Sequence, residues 1–424
     1  MILREAFDFI LKETDPRRSF SRIEPVLDVV RRHEQKKGSV IIVSIGKIGL
    51  PMTDELMERC GLDSPLGLVT MPYLNSTRHH CLKLFAGGHP YPDEDSLKAA
   101  QYTLKLLKKA VENDLVVFLI SGGGSAAMES PLDEAVSLED IKSMNRVLVS
   151  CGANIVEMNT VRKHLSGVKG GRLAVAAAPA RQITVFISDV PRGKDSSVAS
   201  GPTMPDESTL EEMVDVIERY ELKRLFPKSI VNLIESGTIP ETPKETDPAF
   251  HNARWHRLLS NENALEEANK FADRMDWICI IDTTADDLRV DSAAEYLIKR
   301  LKQLKDQHTG RTVCIVAGGE VRSPVKGNGL GGRNQAFVLE CATRIQNERI
   351  GVLSGGTDGI DGNSPAAGAV ADGETLDRAG SMGMDPADTM ARSDSYAFFH
   401  SLEDDIVTGP TGNNLCDLRM LIAW

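Results

Sequence analysis

Four apolar segments of this chain each end in a glycine-rich turn. The four are VSIGKIG (43–49), LISGGGS (119–125), IVAGGEV (315–321) and VLSGGTDG (352–359). A glycine has no Cβ, so its backbone can approach a ligand closely, and the amides at the start of a following helix attract anions. In an open α/β sheet, ligands bind beyond the carboxyl ends of the strands. Glycine is also common in turns that bind nothing, but four such turns in one chain indicate a site for an anionic ligand.

The small residues of these turns are candidates for binding the phosphates of a nucleotide. The loop at 122–125 lacks the GK[ST] ending of a P-loop and does not continue as GxGxxG. The kind of anion that it binds, phosphate or carboxylate, therefore stays open. The candidate residues are Gly122, Gly123, Gly124, Ser125, Gly318, Gly319, Gly356 and Thr357.

Two cationic residues beside glycines are candidates for catalysis. Lys47 directly follows the apolar run VIIVSIG, and a lysine at the end of a strand can neutralise charge on a transferred phosphoryl group. Arg333 follows KGNGLGG and begins a helical pattern, where the helix dipole disfavours a positive side chain. A guanidinium beside helix-terminal amides suits recognition of a phosphate or carboxylate. A solvated surface lysine is the alternative interpretation of Lys47.

Two aspartates are candidate ligands of a metal ion. Asp189 ends the apolar run TVFISD, and Asp358 lies in SGGTDGIDG. An aspartate in a phosphate site can hold a metal ion or accept the proton of an attacking hydroxyl group. An Asx turn is the alternative for Asp189, and a calcium loop at 358–362 is disfavoured because no glutamate closes it.

Three further basic residues are candidates for binding the carboxylate of a substrate. Arg162 and Lys163 lie in NTVRKHLSGVKGGRLA (159–174), and Arg192 lies in the loop that follows Asp189. The alternative for the first two is a solvated helix face that ends in a glycine-rich cap.

Short apolar runs alternate with helical patterns along the chain, which indicates an α/β fold. Most of these runs are continuous, as in strands that are buried on both faces of a parallel sheet. A capping aspartate, Asp93, opens the clearest helical pattern, at 93–113, and further helices are predicted at 209–222 and 294–307. Strands are predicted at 39–45, 66–71, 114–120, 182–188, 277–283, 312–318, 349–355 and 405–409.

The segment GTIPETPKETDPAF (237–250) holds three prolines and almost no apolar periodicity, which favours a linker. We therefore expect a Rossmann-like domain at 1–237, a linker at 238–254 and a second α/β domain at 255–424. The first ~40 residues are expected to pack either on the domain at 1–237 or on the second domain. The predicted fold is two layered α/β domains with largely parallel sheets and an active-site cleft between them.

Composition excludes several classes of function. A net charge of −12 over 424 residues disfavours a nucleic-acid partner. The seven cysteines form no CxxC pair and the nine histidines show no HExxH spacing, so buried free thiols are expected and a zinc site is not. The start of the chain carries charges early, and no apolar run is long enough to cross a bilayer. A cytoplasmic protein without membrane contact is the expectation.

The longer motifs together resemble the type II glycerate kinases, whose C-terminal portion is called the MOFRL domain. The motifs are ISGGGSA, NTVRKHLSGVKGGRLA, SDVPRGKDSSVASGPT, GGRNQAFVLE, SGGTDGIDG and TGPTGNNLCDLR. The resemblance covers nearly the whole chain. It implies phosphorylation of D-glycerate that depends on ATP and Mg²⁺, with 2-phosphoglycerate as the product. The active-site lysine and arginine of the family correspond to Lys47 and Arg333, and a monomer or a homodimer is expected.

The chain departs from that family at one segment. It has TTADDLRVDSAAEY where relatives often carry a glutamate-rich EGEAR stretch. Either Asp286 or Asp287 supplies the acidic function there, or this chain lacks it.

Two alternatives to a kinase stay open. One is an oxidoreductase acting on hydroxypyruvate, a label sometimes given to relatives, which the missing dinucleotide fingerprint disfavours. The other is a protein that binds a nucleotide or metabolite without turnover.

Overall fold

The computed structural model describes residues 2–36, 38–72, 74, 81–190 and 193–424. Its chain divides into two compact units. The central unit is Phe20–Leu258, and the terminal unit combines Met1–Ser19 with Leu259–Trp424. These bounds differ from the predicted ones in two places. Residues 1–19 belong to the terminal unit because the first helix packs there, and the central unit extends to Leu258 because the proline-rich segment packs against it.

A six-stranded sheet forms the middle of the central unit, in the order β3-β2-β1-β4-β5-β6. The pairs β1–β2, β1–β4, β2–β3 and β4–β5 are all parallel, as the continuous apolar runs predict. Both β1 and β4 are buried along their whole length. The strands are β1 (Val40–Ile45), β2 (Leu66–Thr70), β3 (Lys83–Phe85), β4 (Leu115–Ile120), β5 (Arg181–Ser188) and β6 (Ala253–Ser260).

Helices cover this sheet and build a second apolar cluster beside it. One face of the sheet packs on α5 and α9, and α3 and α4 pack against β1. The helices α7, α8, α10 and α11 form the separate cluster. The helices are α3 (Glu24–Gln35), α4 (Gly49–Cys60), α5 (Glu94–Leu107), α6 (Gly124–Ala127), α7 (Leu138–Ser150), α8 (Ile155–His164), α9 (Arg172–Ala177), α10 (Leu210–Arg219) and α11 (Lys228–Glu235).

Capping residues fix where the predicted helices begin. Asp93 accepts the backbone amide of Ser96, whose side chain in turn accepts the amide of Asp93, so α5 starts where its sequence predicts. Thr209 and Glu212 form the same reciprocal pair at the start of α10.

The terminal unit also holds six strands, in the order β11-β10-β9-β12-β8-β7. This sheet is mixed: β12 runs antiparallel to both of its neighbours, β8 and β9, whereas β7 and β8 are parallel. The prediction of an α/β fold is confirmed, and the expectation of largely parallel sheets is corrected for this unit. The strands are β7 (Ile278–Ile281), β8 (Val313–Gly319), β9 (Ile350–Gly356), β10 (Gly368–Asp372), β11 (Asp405–Ile406) and β12 (Asp417–Ala423).

Alternate residues of β8 face two helical layers. Val313, Ile315 and Ala317 lie in the core formed with α13 and α14, and the opposite face packs on α12. The helices are α1 (Ile2–Glu13), α2 (Pro16–Ser19), α12 (Asn261–Arg274), α13 (Val290–Gln307), α14 (Arg333–Ala342), α15 (Thr375–Ser381), α16 (Pro386–Arg392) and α17 (Ser395–Ser401). In the part of the chain that the structure describes, none of the helices has the length and apolarity that crossing a membrane requires.

The first helix belongs to the terminal unit because its apolar face packs there. Leu3, Ala6, Phe7 and Ile10 are buried along one side of α1, which packs against α12 and β9. The Phe7 ring lies so close to Gly355 that a Cβ at that glycine would be 2.8 Å from it.

The proline-rich segment predicted as a linker packs against the central unit. Glu241 accepts hydrogen bonds from the His164 ring and the Leu210 amide, both at 2.9 Å. The backbone amide of Asp206 donates to the carbonyl of Pro243 at 3.0 Å. Low apolar periodicity predicted a free linker, whereas polar contacts hold the segment in place.

We expect E241Q to lower the free energy of unfolding by about 1–2 kcal/mol at pH 7, because a charged acceptor of several hydrogen bonds is lost. Partial burial raises the pKa of Glu241, but hydrogen bonds from Leu210, His164, Lys244 and Thr242 outweigh it and lower the pKa to about 2. The folded state therefore binds this proton less tightly than the unfolded state. Its contribution is present above pH 4.5 and is lost as the pH falls toward 2.

Urea unfolding of wild type and E241Q from pH 7 down to pH 3 measures this difference. The matched control is E245Q, an exposed glutamate in the same segment. A gap between wild type and E241Q that stays constant over this pH range would contradict the assignment.

Candidate active site

The glycine turns after β1 and β4 are hydrogen-bonded to each other in the central unit. The amide of Lys47 donates to the carbonyl of Gly122 at 2.9 Å, and the amide of Ile48 donates to Ser121 Oγ at 3.1 Å. Gly46 has a φ of +114°, and a Cβ there would lie 2.4 Å from the Ser121 carbonyl oxygen. Glycine is therefore required at this position for the two turns to meet.

The Lys47 side chain lies beside the second turn. A Cβ at Gly123 would be 3.1 Å from Lys47 Cγ and 3.2 Å from His89 Cδ2. The turn thus lies against one cationic stem and one imidazole ring. The helix that follows, α6, is a single turn of four residues, so its dipole contributes less to anion binding than that of a longer helix would.

Glycine at 124 and a strained segment hold Ser125 in place. A Cβ at Gly124 would lie 2.8 Å from the Ala199 side chain. Ala199 and Ser200 both have left-handed backbone, with φ of 50° and 60°, which costs free energy in residues other than glycine. The Ser200 hydroxyl lies 2.9 Å from the Ser125 hydroxyl.

A pocket of about 110 Å³ lies next to this turn, wholly within the central unit. Of the residues predicted from the sequence, it brings together Gly123, Ser125 and Arg162. The Nε of Arg162 donates to Asn145 Oδ1 at 2.8 Å. The lining residues are His89, Pro90, Pro92, Gly123, Ser125, Ala126, Glu129, Asn145 and Arg162.

The other predicted residues of this unit lie elsewhere. Lys163 is buried and its Nζ binds Asp206 Oδ1 at 2.9 Å, so this lysine has a structural partner and does not line the pocket. Asp189 directly follows β5 and is half-buried. Arg192 lies outside the described residues.

In the terminal unit, one buried carboxylate lies between two of the predicted turns. Asp417, at the start of β12, pairs with Gly319 on one side and Gly356 on the other. It is 1% exposed and accepts Arg333 Nε at 2.6 Å and Arg419 Nη2 at 3.1 Å. Arg333 also donates to Glu320 at 2.6 Å. Burial alone would lower the pKa of Arg333. The carboxylates of Asp417 and Glu320 outweigh this effect and raise the pKa above its ordinary value, so the side chain stays positively charged.

Arg333 begins α14 as predicted, but the first amides of that helix are already bonded. Asp361 accepts the amides of Asn334 and Gln335 at 3.0 and 2.9 Å, so these amides are occupied by a carboxylate of the chain itself. Burial raises the pKa of Asp361 to about 6 although the two amides oppose it. The preceding GNGLGG matches GxGxxG spacing, yet it does not directly follow a strand, as a dinucleotide fingerprint requires.

The remaining predicted residues of the terminal unit lie in the turns at the ends of β8 and β9. A Cβ at Gly318 would lie 1.8 Å from Asn261 Oδ1, and one at Gly319 would lie 2.1 Å from Asp286 Oδ1. The Thr357 hydroxyl is fully buried, accepts the Leu415 amide at 2.7 Å and donates to the Cys416 carbonyl at 2.8 Å. These contacts fix the turn geometry. Asp358, half-buried, accepts the Ile360 amide at 3.1 Å.

Magnesium would rely on few protein ligands here. Within the described ranges, no group of three or more His, Cys, Asp or Glu side chains is placed to hold a metal ion. Mg²⁺ in nucleotide sites is commonly bound by one or two carboxylates together with phosphate oxygens and waters. A single aspartate ligand, such as Asp189 or Asp358, fits that mode.

Three contributors to these sites were not predicted from the sequence. His89, in GGHPYPD, follows two glycines after β3, a spacing that could have marked it. Asn145 and Asp417 gave no signal, because Arg162 and Arg333, the candidate residues that they orient, are distant from them in sequence.

We expect D417N to lower the free energy of unfolding by about 3–5 kcal/mol, because it leaves the buried Arg419 guanidinium without its counter-charge. The control is E320Q, which removes the exposed carboxylate from the same Arg333 and should cost less than about 1 kcal/mol. Urea unfolding followed by tryptophan fluorescence compares the two. Equal effects would contradict a dominant role for the buried carboxylate.

Family models match both parts of the chain. The model described as "Domain of unknown function (DUF4147)" matches residues 2–235, and that of the MOFRL family matches residues 313–417.

Known proteins are similar over most of the chain. D-glycerate 2-kinase of Thermotoga maritima is 36% identical over 383 residues, which are 89% of this chain and 89% of that protein. A protein of Agrobacterium vitis with the provisional name hydroxypyruvate reductase is 34% identical over 428 residues, 99% of this chain and 94% of its own. A crystal structure of glycerate kinase from Thermotoga maritima superposes with a TM-score of 0.87 at 33% identity, covering 100% of this chain and 99% of that one. On this evidence the chain belongs to the glycerate 2-kinase family, with a DUF4147 domain followed by a MOFRL domain.

Proposed function

We propose that this protein transfers the γ-phosphoryl group of ATP to the 2-hydroxyl group of D-glycerate, giving 2-phosphoglycerate and ADP. The observation that carries the proposal is the match along nearly the whole chain to a D-glycerate 2-kinase. The positions of Lys47 and Arg333 beside glycine turns support it, because phosphoryl transfer depends mainly on positioned cations and oriented donors.

The reaction forms one bond and breaks one. The 2-hydroxyl oxygen of glycerate attacks the γ-phosphorus, and the bond from that phosphorus to the β–γ bridging oxygen breaks, so ADP leaves with the electron pair. The hydroxyl proton is released during the transfer. Asp189, at the end of β5, is our proposed acceptor of that proton; alternatively, it would help to hold Mg²⁺.

Within the central unit, the turn after β4 supplies backbone amides and close approach, since Gly122, Gly123 and Gly124 carry no side chain. Lys47 lies beside that turn and supplies positive charge for the transferring group. Ser125 is held by its contact with Ser200 and presents a hydroxyl group at the neighbouring pocket.

Within the terminal unit, Arg333 supplies a guanidinium whose orientation is set by Asp417 and Glu320. The turns at Gly318, Gly319, Gly356 and Thr357 shape the edge of the sheet around it. Arg333 bonds these two carboxylates through its Nε and Nη2 groups. Its Nη1 group bonds none of the described residues, and we propose that it binds a phosphate oxygen.

We propose Mg²⁺ as the second cofactor, held through Asp189 or Asp358 and the phosphate oxygens of ATP. Its chemistry is neutralisation of phosphate charge. The proposed setting is the cytoplasm, with the protein as a monomer or homodimer that has no nucleic-acid partner.

A coupled assay of ADP release with D-glycerate and MgATP tests the activity. Proton-coupled ³¹P NMR then identifies the product, because phosphate on carbon 2 has one neighbouring proton and gives a doublet. Phosphate on carbon 3 has two and gives a triplet. Absence of ADP above background would refute the kinase proposal, and a triplet would refute the choice of hydroxyl.

We expect K47A and R333K each to lower kcat by about a hundredfold or more, as loss of one charge-stabilising donor does elsewhere. R333K is preferred to R333A because it keeps a positive charge beside the buried Asp417. K108A, an exposed lysine at the end of α5, is the control. Turnover within about twofold of wild type, with an unchanged thermal midpoint, would remove either residue from the mechanism.

The provisional name of the Agrobacterium vitis relative keeps a hydroxypyruvate reductase as the second candidate. Oxidation of NADH in the presence of hydroxypyruvate, measured on the same preparation, tests it. A protein that ATP stabilises thermally without any turnover would instead be a binding protein.

A further inference from the structure

The pocket of the central unit holds a guanidinium that the chain itself leaves only partly bonded. Arg162, on the last turn of α8, is half-buried, and its Nε is bonded to Asn145. Its two Nη groups form no hydrogen bond or ion pair with any of the residues that the structure describes. A planar guanidinium with free Nη donors can bind a carboxylate or phosphate through two parallel hydrogen bonds, so this side chain suits an incoming anion.

Asn145 has a fixed orientation, and its hydrogen bond to Arg162 sets the orientation of the guanidinium. Its side chain is 8% exposed, and its Nδ2 donates to the Ile141 carbonyl of the same helix at 3.0 Å. The amide oxygen must therefore be the atom that faces Arg162. With Nε bonded to that oxygen, the two Nη groups are the donors of the guanidinium that remain for a ligand.

The charges around the pocket leave Arg162 unbalanced. Glu129 also lines the pocket, but its carboxylate accepts the Ser130 amide at 2.9 Å, the Ser166 hydroxyl at 2.6 Å and the buried Lys169 ammonium. Lys169 thus neutralises Glu129. The His89 ring is the third titratable group of the lining. Because Lys169 balances Glu129, the charge of Arg162 remains, and the net charge around the pocket is positive.

The chemistry of the guanidinium favours one class of anion. The pocket measures about 110 Å³, which accommodates one end of a small acid. A carboxylate matches the planar fork of an arginine with two parallel hydrogen bonds.

We infer that Arg162, oriented by Asn145, is the element that recognises the carboxylate of a small 2-hydroxy acid in this pocket. The inference rests on the proposed function for the identity of the acid. Arg162 is the binding residue, and Asn145 is a positioning residue that acts through it.

Kinetics of R162Q and N145A test the assignment on the full-length protein. We expect R162Q to raise KM for D-glycerate by about a hundredfold and N145A by about tenfold, with kcat and KM for ATP within about twofold of wild type. R146Q is the matched control, since Arg146 is the exposed neighbour of Asn145 on α7. A rise in KM for ATP instead would assign Arg162 to the nucleotide and overturn the inference.

Glyceramide, which replaces the carboxylate by an uncharged amide, separates recognition from a general structural effect. The wild-type preference for glycerate over glyceramide, expressed as a ratio of kcat/KM, should fall at least tenfold in R162Q. It should be unchanged in R146Q. A variant that loses activity equally on both compounds would show a structural role only.

Thermal stabilisation by D-glycerate without nucleotide distinguishes failure of the inference from failure of the kinase proposal. Stabilisation of wild type and R146Q but not of R162Q supports the carboxylate site even where no ADP is formed. Equal stabilisation of all three proteins overturns the inference even where the kinase assay succeeds.

Discussion

The architecture of the terminal unit depends on one buried carboxylate. Asp417 lies where β12 enters between β8 and β9, and it bonds both the buried Arg419 and the half-exposed Arg333. A buried arginine is tolerated only with such a partner. Because one carboxylate serves both arginines, the strand that holds the sheet together also sets the direction of the proposed catalytic guanidinium.

In the central unit, hydrogen bonds and close backbone packing, rather than ion pairs, bring the two glycine turns together. Its two turns are joined by one hydrogen bond between backbone groups and one to the Ser121 hydroxyl. The approach depends on Gly46 and Gly124, where a side chain would collide with neighbouring atoms. Polar groups are satisfied by the chain around them: Lys163 by Asp206, and Glu129 by Lys169. Arg162 differs because its Nη groups, among the described residues, have no such partner. This contrast with the paired Lys163 and Lys169 is what marks Arg162 as a candidate for ligand binding.

Much of the fold could be predicted from the sequence, because strands buried on both faces read as continuous apolar runs. All eight predicted strands exist. β12 was missed because Arg419 interrupts its apolar pattern, and only the tertiary contact with Asp417 makes that charge compatible with burial. β6 was missed because Arg254, His256 and Arg257 give it a polar character. For the candidate site, the position of Lys47 just after the end of a strand could be predicted from the sequence. The pairing of Arg162 with Asn145 was not, since it joins two helices whose contact no local pattern encodes.

The assignment of α1 to the terminal unit has a consequence for synthesis on the ribosome. The surfaces that cover Phe7 and its neighbours belong to α12 and β9, which are translated only after the entire central unit. Domains generally fold as units while the chain emerges. The central unit can therefore complete its sheet while the apolar side of α1 remains exposed on the nascent chain. That interval is when this protein most needs protection from aggregation, and α1 would be the exposed segment.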